Sequence, residues 1–369
     1  MQSLAIKYRP QVFADVVEQG SIRQILEHQV KTKTHKHSYL FTGGAGTGKT
    51  TCARIFAHEL NGRTGNPIEI DAASNNGVDN VRDIIDGAKF KSLDSPYKVY
   101  IVDECHMLSA GAWNAMLKLL EEPPAQTIFI FCTTDPQKVP LTILSRTQRY
   151  DFKRISHDGI IARLQTIMEA ERASYYANLY EQDSTGYLAE CADSSGAYSW
   201  SDESLAYIAQ IADGGMRDAI TLMDKCLSYH YELSIDSVIA ALGTADYSWF
   251  LKLTEAVLRY NIVEALTLID TAYQNGAELK QLMKQYVKVL VDLYKYYLSQ
   301  KQPEFKKHIR TPLDIQFIDA WTKDDFLYVP EILRIIIRLN ADIKWDGAPK
   351  GMIEATFVML CEEETNATI

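Results

Sequence analysis

The sequence predicts an α/β domain with a three-layer, mostly parallel sheet, followed by all-helical domains. Three observations point there. Over the first 150 residues, short apolar runs alternate with segments of helical period, the pattern of parallel strands joined by crossover helices. Between the run Ser38–Thr42 and the next helix lies Gly43-Gly44-Ala45-Gly46-Thr47-Gly48-Lys49-Thr50. It matches G-x-x-x-x-G-K-[ST], the loop that cradles phosphates. Past Phe152 the period turns helical and stays so.

The elements follow in order. A helical stretch near Ser21–Val30 precedes the strand Ser38–Thr42. Lys49–Leu60 reads as a helix, because Cys52, Ile55, Phe56 and Leu60 fall at helical spacing. Ile68–Ile70 is a short strand, and Asn and Gly turn residues introduce a helix over Asp79–Ala88. Val99–Val102 is a strand ending on Asp103-Glu104. Pro123-Pro124 stops a helix over Ala112–Leu120, and Thr127–Cys132 is another strand. Gly159–Arg172, Asp202–Ala212 and Arg217–Tyr229 are amphipathic helices. Between the first two, Ser174–Trp200 is rich in Ser, Asp, Gly and Tyr and reads as an inserted loop. Its Tyr175, Tyr176, Tyr180, Tyr187, Tyr198 and Trp200 read as local packing, with a partner surface as the other reading. From Ile235 onward the chain is nearly all helix. Leu279, Leu282, Met283, Tyr286, Val287, Leu290 and Leu293 form one apolar stripe. The domains fall at 1–153, 154–230 with the insertion at about 174–200, and 231–369.

At 369 residues and 47% hydrophobic content, the chain can bury full cores. No apolar run is long enough to cross a bilayer, and MQSLAIKYRP lacks the apolar core of a secretory signal, so a cytoplasmic location is expected with no membrane partner. The six cysteines are scattered without a C-x-x-C pair, which reads as buried small residues. The net charge of −10 is uneven: residues 1–150 hold 17 Lys+Arg against 15 Asp+Glu, and the rest 21 against 33. Such a chain is no obvious free-standing DNA binder.

The chemistry of the loop follows from its glycines. Gly43, Gly46 and Gly48 let backbone N–H groups curl around phosphate oxygens, and the helix start adds a favourable dipole. Lys49 then reaches the β- and γ-phosphates and Thr50 holds Mg²⁺. A chance match in a chain this long has odds of roughly one in a hundred at average residue frequencies. Asp103 is placed to bind Mg²⁺ through water, and Glu104 to orient and deprotonate the attacking water. Thr133 reads either as a water-positioning group or as a plain strand-end hydroxyl. Arg146 reads either as a surface arginine or as a finger toward a neighbouring subunit's site. Arg217, after Gly214-Gly215-Met216 at a helix start, suits a phosphate contact.

Taken in order, these residues resemble the bacterial DNA polymerase III gamma/tau subunits, the ATPases of sliding-clamp loaders. The resemblance is carried by Tyr8-Arg9-Pro10, Phe13–Val17, Asp71–Asp79, Asp103–Leu108, Leu119–Pro124, Thr133–Pro136, Leu144-Ser145-Arg146 and Gly214–Ala219. It covers residues 4–228 apart from the insertion. Lys344–Leu360 resembles a last collar helix. The resemblance implies an AAA+ fold: a nucleotide-binding domain, a helical lid and a helical collar that builds a ring. It implies ATP and Mg²⁺, with Lys49, Thr50, Asp103 and Glu104 as hydrolytic core. Thr133 becomes sensor 1, Arg146 a trans arginine finger and Arg217 sensor 2. Tyr8, Arg9, Pro10, Val16 and Val17 fall against the adenosine, and Gly43, Gly44, Ala45, Gly46, Thr47, Gly48, Lys49, Thr50 and Thr51 around the phosphates. The implied partners are other loader subunits, a sliding clamp and primer–template DNA. Ser74, Asn75 and Asn76, at a helix start, are candidate DNA contacts, with an ordinary capping turn as the alternative.

Several positions depart from the family pattern. The four-cysteine zinc module after the P-loop helix is missing, because Leu60 passes through Asn61–Asn66 to Pro67, so no zinc is expected. Thr147 replaces the usual Cys after Ser145-Arg146, Glu18 stands where the family often has Gly, and Ser174–Trp200 interrupts the lid. The chain ends at Ile369 without the long tau extension, which suits a gamma-like form. A compact, zinc-free version suits a phage or mobile element, placing the protein in bacterial cytoplasm or an infected host cell. The competing readings are another AAA+ motor, such as a helicase loader or branch-migration motor, and a non-hydrolysing structural subunit.

Overall fold

Strands buried on both faces need cover on both faces, and the sheet near the N-terminus has it. The computed structural model describes residues 2–182, 198–242, 247–309, 311 and 313–362. They divide between two compact units, Met1–Glu232 and Leu233–Ile369.

The first unit opens with helices α1 (Leu4–Lys7) and α2 (Gly20–Thr32), then β1 (Ser38–Thr42) and α3 (Lys49–Leu60). β2 (Ile68–Asp71), α4 (Val78–Ala88), β3 (Lys98–Asp103), α5 (Ala110–Glu121) and β4 (Thr127–Thr133) follow. After α6 (Leu141–Leu144) comes β5 (Gln148–Asp151). The sheet runs β2-β3-β4-β1-β5 with every pairing parallel. β1 and β4 are buried at every position, as a sheet covered on two faces requires. Tyr39, Phe41, Ile101 and Ile130 pack toward α2 and α3, while Leu40, Tyr100, Phe129 and Phe131 pack against Trp113 and Met116 of α5.

The predicted strand and helix positions hold, with two differences. The fifth strand, β5, is not among the predicted ones. It is a polar edge strand with one buried residue, Tyr150, so it lacks an apolar run to announce it. The first lid helix, α7 (His157–Gln182), runs ten residues past the expected end at Arg172 and into the expected loop. Its extension has a reason in packing, since the Tyr175 ring meets Tyr176, Tyr198 and Tyr231 at 5.8, 5.6 and 6.5 Å. Those tyrosines therefore pack locally, and Arg172 lies over Trp200. The Tyr180 side chain and Tyr187 lie outside the described residues. Helices α8 (Asp202–Ala212) and α9 (Met216–Tyr229) complete the unit.

The second unit is helical throughout its described residues: α10 (Ile235–Leu242), α11 (Tyr247–Leu258), α12 (Ile262–Gln274), α13 (Leu279–Ser299), α14 (Ile315–Ile318), α15 (Lys323–Asp342) and α16 (Lys350–Glu362). The apolar stripe lies on α13 and is buried except at Val287, which is half-buried. Tyr286 stacks between Phe250 and Phe357, at 6.0 and 6.1 Å, joining α11, α13 and α16. Thr322 caps α15 in a reciprocal box with Asp325, which also takes the Arg259 guanidinium at 2.8 Å. The five described cysteines, Cys52, Cys105, Cys132, Cys226 and Cys361, are buried and free. No described helix is long and apolar enough to cross a membrane.

Candidate nucleotide site

Parallel strands put their carboxyl ends on one edge, and the sequence motifs meet there. β1 delivers the glycine loop, β3 delivers Asp103-Glu104 and β4, lying between them, delivers Thr133-Thr134. The loop depends on two glycines in particular. A Cβ on Gly43 (φ +147°) would collide with the Phe152 carbonyl oxygen, and one on Gly46 (φ +68°) would sit 3.0 Å from the Gly215 Cα. Gly46 needs that closeness because its carbonyl accepts the Met216 N–H at 3.0 Å, tying the loop to the start of α9.

Lys49 is buried, and its Nζ donates to the carbonyls of Gly43 and Gly44 at 2.9 and 2.8 Å. Burial lowers its pKa below the usual lysine value. Thr50 Oγ1 donates to Asp103 Oδ2 at 2.8 Å, and Asp103 Oδ1 accepts the Glu104 N–H at 3.0 Å. Two hard oxygen donors thus converge beside the phosphate loop. Mg²⁺ is commonly held by one or two protein oxygens plus phosphate and water, so the pair fits that ion without a larger cluster.

These groups border a cavity of about 280 Å³. Of the sequence-predicted residues, Tyr8, Arg9, Pro10, Val16, Val17, Ala45–Thr51, Asp103, Glu104 and Arg217 line it. Gly43 and Gly44 contribute instead through the carbonyls that hold Lys49. Ala5, Ile155, Arg163, Met216, Asp218 and Ile220 line it as well and were missed. Met216 and Asp218 flank Arg217 and were within reach of the motif. Ile155 and Arg163 carry no local signal; Arg163 is found only because its guanidinium donates to the Tyr8 carbonyl at 3.0 Å. The charged lining of the cavity is Arg9, Lys49, Arg163 and Arg217 with Asp103, Glu104 and Asp218. Arg9 has its pKa lowered by burial and then by the neighbouring cations Arg54 and Arg217, so an anion entering there relieves a repulsion.

Tyr8 OH donates to Glu171 on α7 at 2.6 Å, and the Leu4 N–H donates to Asp224 on α9 at 3.0 Å. The N-terminal segment is therefore fastened to the lid helices. Glu18 has φ +56°, a backbone conformation that favours glycine. Here its carboxylate accepts the Ser156 N–H at 3.1 Å and the Ser156 hydroxyl, ahead of α7. Glu18 does not line the cavity.

At the end of β4 the two threonines separate. Thr133 is fully buried, its Oγ1 accepting the Asp135 N–H at 3.0 Å and lying 3.0 Å from His106 Nδ1. Thr134 is the one that reaches Glu104, donating to Oε2 from its hydroxyl at 2.9 Å and its N–H at 3.3 Å. Thr133, the expected water-positioning group, thus faces His106 and Asp135, and its neighbour is the one bonded to Glu104. Both are threonine, and only the direction of the strand end tells them apart.

Arg146 lies apart from the cavity. It follows α6 and is tied to Glu121 Oε1 at 2.6 Å and to the Thr142 carbonyl at 2.7 Å. Ser74 and Asn75 lie in a turn organised by Asp71, whose carboxylate accepts from the Ala73 N–H and Ser74 Oγ at 3.0 and 3.1 Å, and the Asn76 carbonyl accepts the Ser109 N–H at 3.2 Å. Asn75 Nδ2 donates to the Asp71 carbonyl at 3.0 Å, and the N-cap of α4 is Gly77.

The chain is similar to known proteins over most of its length. Residues 66–156 match the model for the DNA polymerase III delta subunit, and residues 233–313 the model for domain III of DNA polymerase III subunits gamma and tau. The DNA polymerase III subunit tau of Bacillus subtilis is 34% identical over 98% of this chain and 63% of its own length. That of Escherichia coli is 34% identical over 78% and 44%. The DNA polymerase III subunit gamma of Buchnera aphidicola is 31% identical over 82% of each chain. The chain thus spans less than two thirds of the two tau subunits. Among solved structures, the Thermotoga maritima RuvB Holliday junction branch migration motor is similar at 17% identity and a TM-score of 0.47, over 74% of this chain and 87% of that one.

Proposed function

The chain belongs to the DNA polymerase III gamma/tau family, and on that premise we propose that it is the ATP-hydrolysing motor subunit of a sliding-clamp loader. The observation that carries the reading is the convergence of Lys49, Thr50, Asp103, Glu104 and Arg217 on one cavity. The polypeptide supplies the parts in a fixed order. Loop N–H groups and Lys49 bind the β- and γ-phosphates, and Thr50 with Asp103 would hold Mg²⁺, which would supply charge neutralisation on the phosphates. Glu104 takes the proton of the attacking water. Thr134 fixes one oxygen of that carboxylate, and Thr133, at the end of the adjacent strand, keeps the sensor 1 role that the family resemblance implies. Arg217 joins the lid to the γ-phosphate. The base lies against Tyr8, Pro10, Val16 and Val17.

Arg146 turns away from its own cavity and acts on a neighbour's γ-phosphate. Residues 1–153 form the nucleotide-binding domain, 154–230 the lid and 231–369 the collar through which subunits assemble in the bacterial cytoplasm. The ATP-bound assembly opens the clamp, primer–template DNA enters through backbone contacts, and hydrolysis releases the closed clamp. The test is ATPase activity of the reconstituted assembly, with Lys49→Ala as the background. Strong stimulation is expected only when clamp and primed DNA are both present. Stimulation by DNA alone would favour another AAA+ motor, and activity no higher than Lys49→Ala would leave a structural subunit.

A further inference from the structure

Behind Glu104, outside the cavity, stands a histidine to which neither motif chemistry nor the reading above gives a task. His106 is nearly enclosed, its side chain 12% exposed. Its Nδ1 faces two oxygens at once: Thr133 Oγ1 at 3.0 Å and Glu104 Oε2 at 3.3 Å. A bare Nδ1 lone pair that close to a carboxylate oxygen would be repelled, so the ring carries a proton on Nδ1. Thr133 Oγ1 already accepts the Asp135 N–H and keeps a lone pair for the imidazole. Glu104 itself has φ +46°, which turns it out of β3 and toward the end of β4. Oε2 is thereby fixed by His106 and Thr134, and Oε1 is left for the cavity side.

We propose that His106 is a positioning residue for Glu104, its Nδ1–H tying the carboxylate to the Thr133 hydroxyl so that the base follows the end of β4. The assignment rests on the ATPase reading. It takes no proton from substrate and does not touch nucleotide. What it supplies is orientation: rotation of the carboxylate away from the attacking water costs rate and leaves ATP binding alone.

The geometry sets an unusually specific test, because Asn can place its amide N–H where Nδ1 sits, whereas Gln places it where Nε2 sits. ATPase kinetics are measured on the reconstituted assembly with clamp and primed DNA, for wild type, His106→Ala, His106→Asn, His106→Gln and Glu104→Gln. Melting temperature and binding of a fluorescent ATP analogue accompany each. His106→Ala is expected to lower kcat about tenfold with KM for ATP unchanged, His106→Asn to recover most of that loss, and His106→Gln not to. Adding His106→Ala to Glu104→Gln should cost nothing further. Unchanged kcat in His106→Ala, equal rescue by Gln and Asn, or a loss that tracks melting temperature or ATP binding would overturn the assignment. An inactive wild type would instead sink the ATPase reading, and this inference with it.

Discussion

Two corners of the N-terminal unit each present an arginine, and they are built to opposite ends. At Gly214–Asp218 the chain is pressed against the phosphate loop, with the Met216 N–H on the Gly46 carbonyl, and Arg217 lines the cavity. At Leu144–Arg146 the chain leaves a short helix, and the guanidinium is held by Glu121 and the Thr142 carbonyl, away from that cavity. One arginine lines the cavity of its own chain, and the other does not. Residue type is identical; only the place in the fold separates the lid contact proposed for Arg217 from the trans finger proposed for Arg146.

That contrast can be broken by substitution. The largest effect is expected from Arg146→Ala, which should reduce kcat of the assembled protein by about a thousandfold, in the range of arginine fingers. ATP binding to the single chain should stay intact, as a fluorescent-nucleotide titration would show. Gly43→Ala comes next: with no room beside the Phe152 carbonyl, the loop must shift, and nucleotide affinity should fall about a hundredfold. Arg217→Ala should weaken ATP binding about tenfold, the size of one charge-assisted contact, and should do so in the isolated chain. If Arg217→Ala leaves binding untouched while Arg146→Ala abolishes it, the two corners have been assigned the wrong way round.

A smaller effect sharpens the comparison by touching neither corner. Burial opposes ionisation of Asp325, but the Arg259 guanidinium and the Thr322 donors outweigh it and hold the carboxyl below its ordinary pKa. The stabilisation is therefore present above the unfolded carboxylate pKa of about 3.9 and is lost as pH falls through the lowered folded value. Asp325→Asn should cost about 1 kcal/mol at neutral pH, with the difference from wild type shrinking below about pH 4. It should leave ATPase unchanged, as paired thermal melts and turnover assays would check. Smallest of all, Glu121→Gln should change kcat by less than about threefold, since an exposed ion pair contributes little.

The sequence carried the parts of the site that rest on local chemistry. β1 and α3 lie at their expected positions because an apolar run, a glycine loop and a periodic helix succeed one another. β5 was not legible, since its stability comes from pairing with β1 and its side chains are mostly solvated. Nor was the extension of α7, which depends on Tyr198 and Tyr231 arriving from later in the chain. That Thr134 is bonded to Glu104 was not legible, because a strand alternates its side chains and the motif does not say which one faces that carboxylate. His106 was visible only as a letter beside Asp103-Glu104; its contacts to Glu104 and Thr133 appear only when β3 and β4 lie side by side. Glu18 is the converse case. The departure from glycine was plain in the sequence, and the Ser156 bonds that compensate it were not.

On the proposed mechanism, Gly43–Thr50 forms half a site that a neighbour's Arg146 completes. The most direct measurement mixes two inactive proteins, Lys49→Ala and Arg146→Ala, in a reconstituted assembly with clamp and primed DNA. In the mixture an intact loop from one chain can meet an intact arginine from the other, and ATPase activity is expected to reappear at a substantial fraction of wild type. Activity no higher than that of either protein alone, with mixed assemblies demonstrated to form, would place Arg146 outside the neighbour's site and contradict the claim.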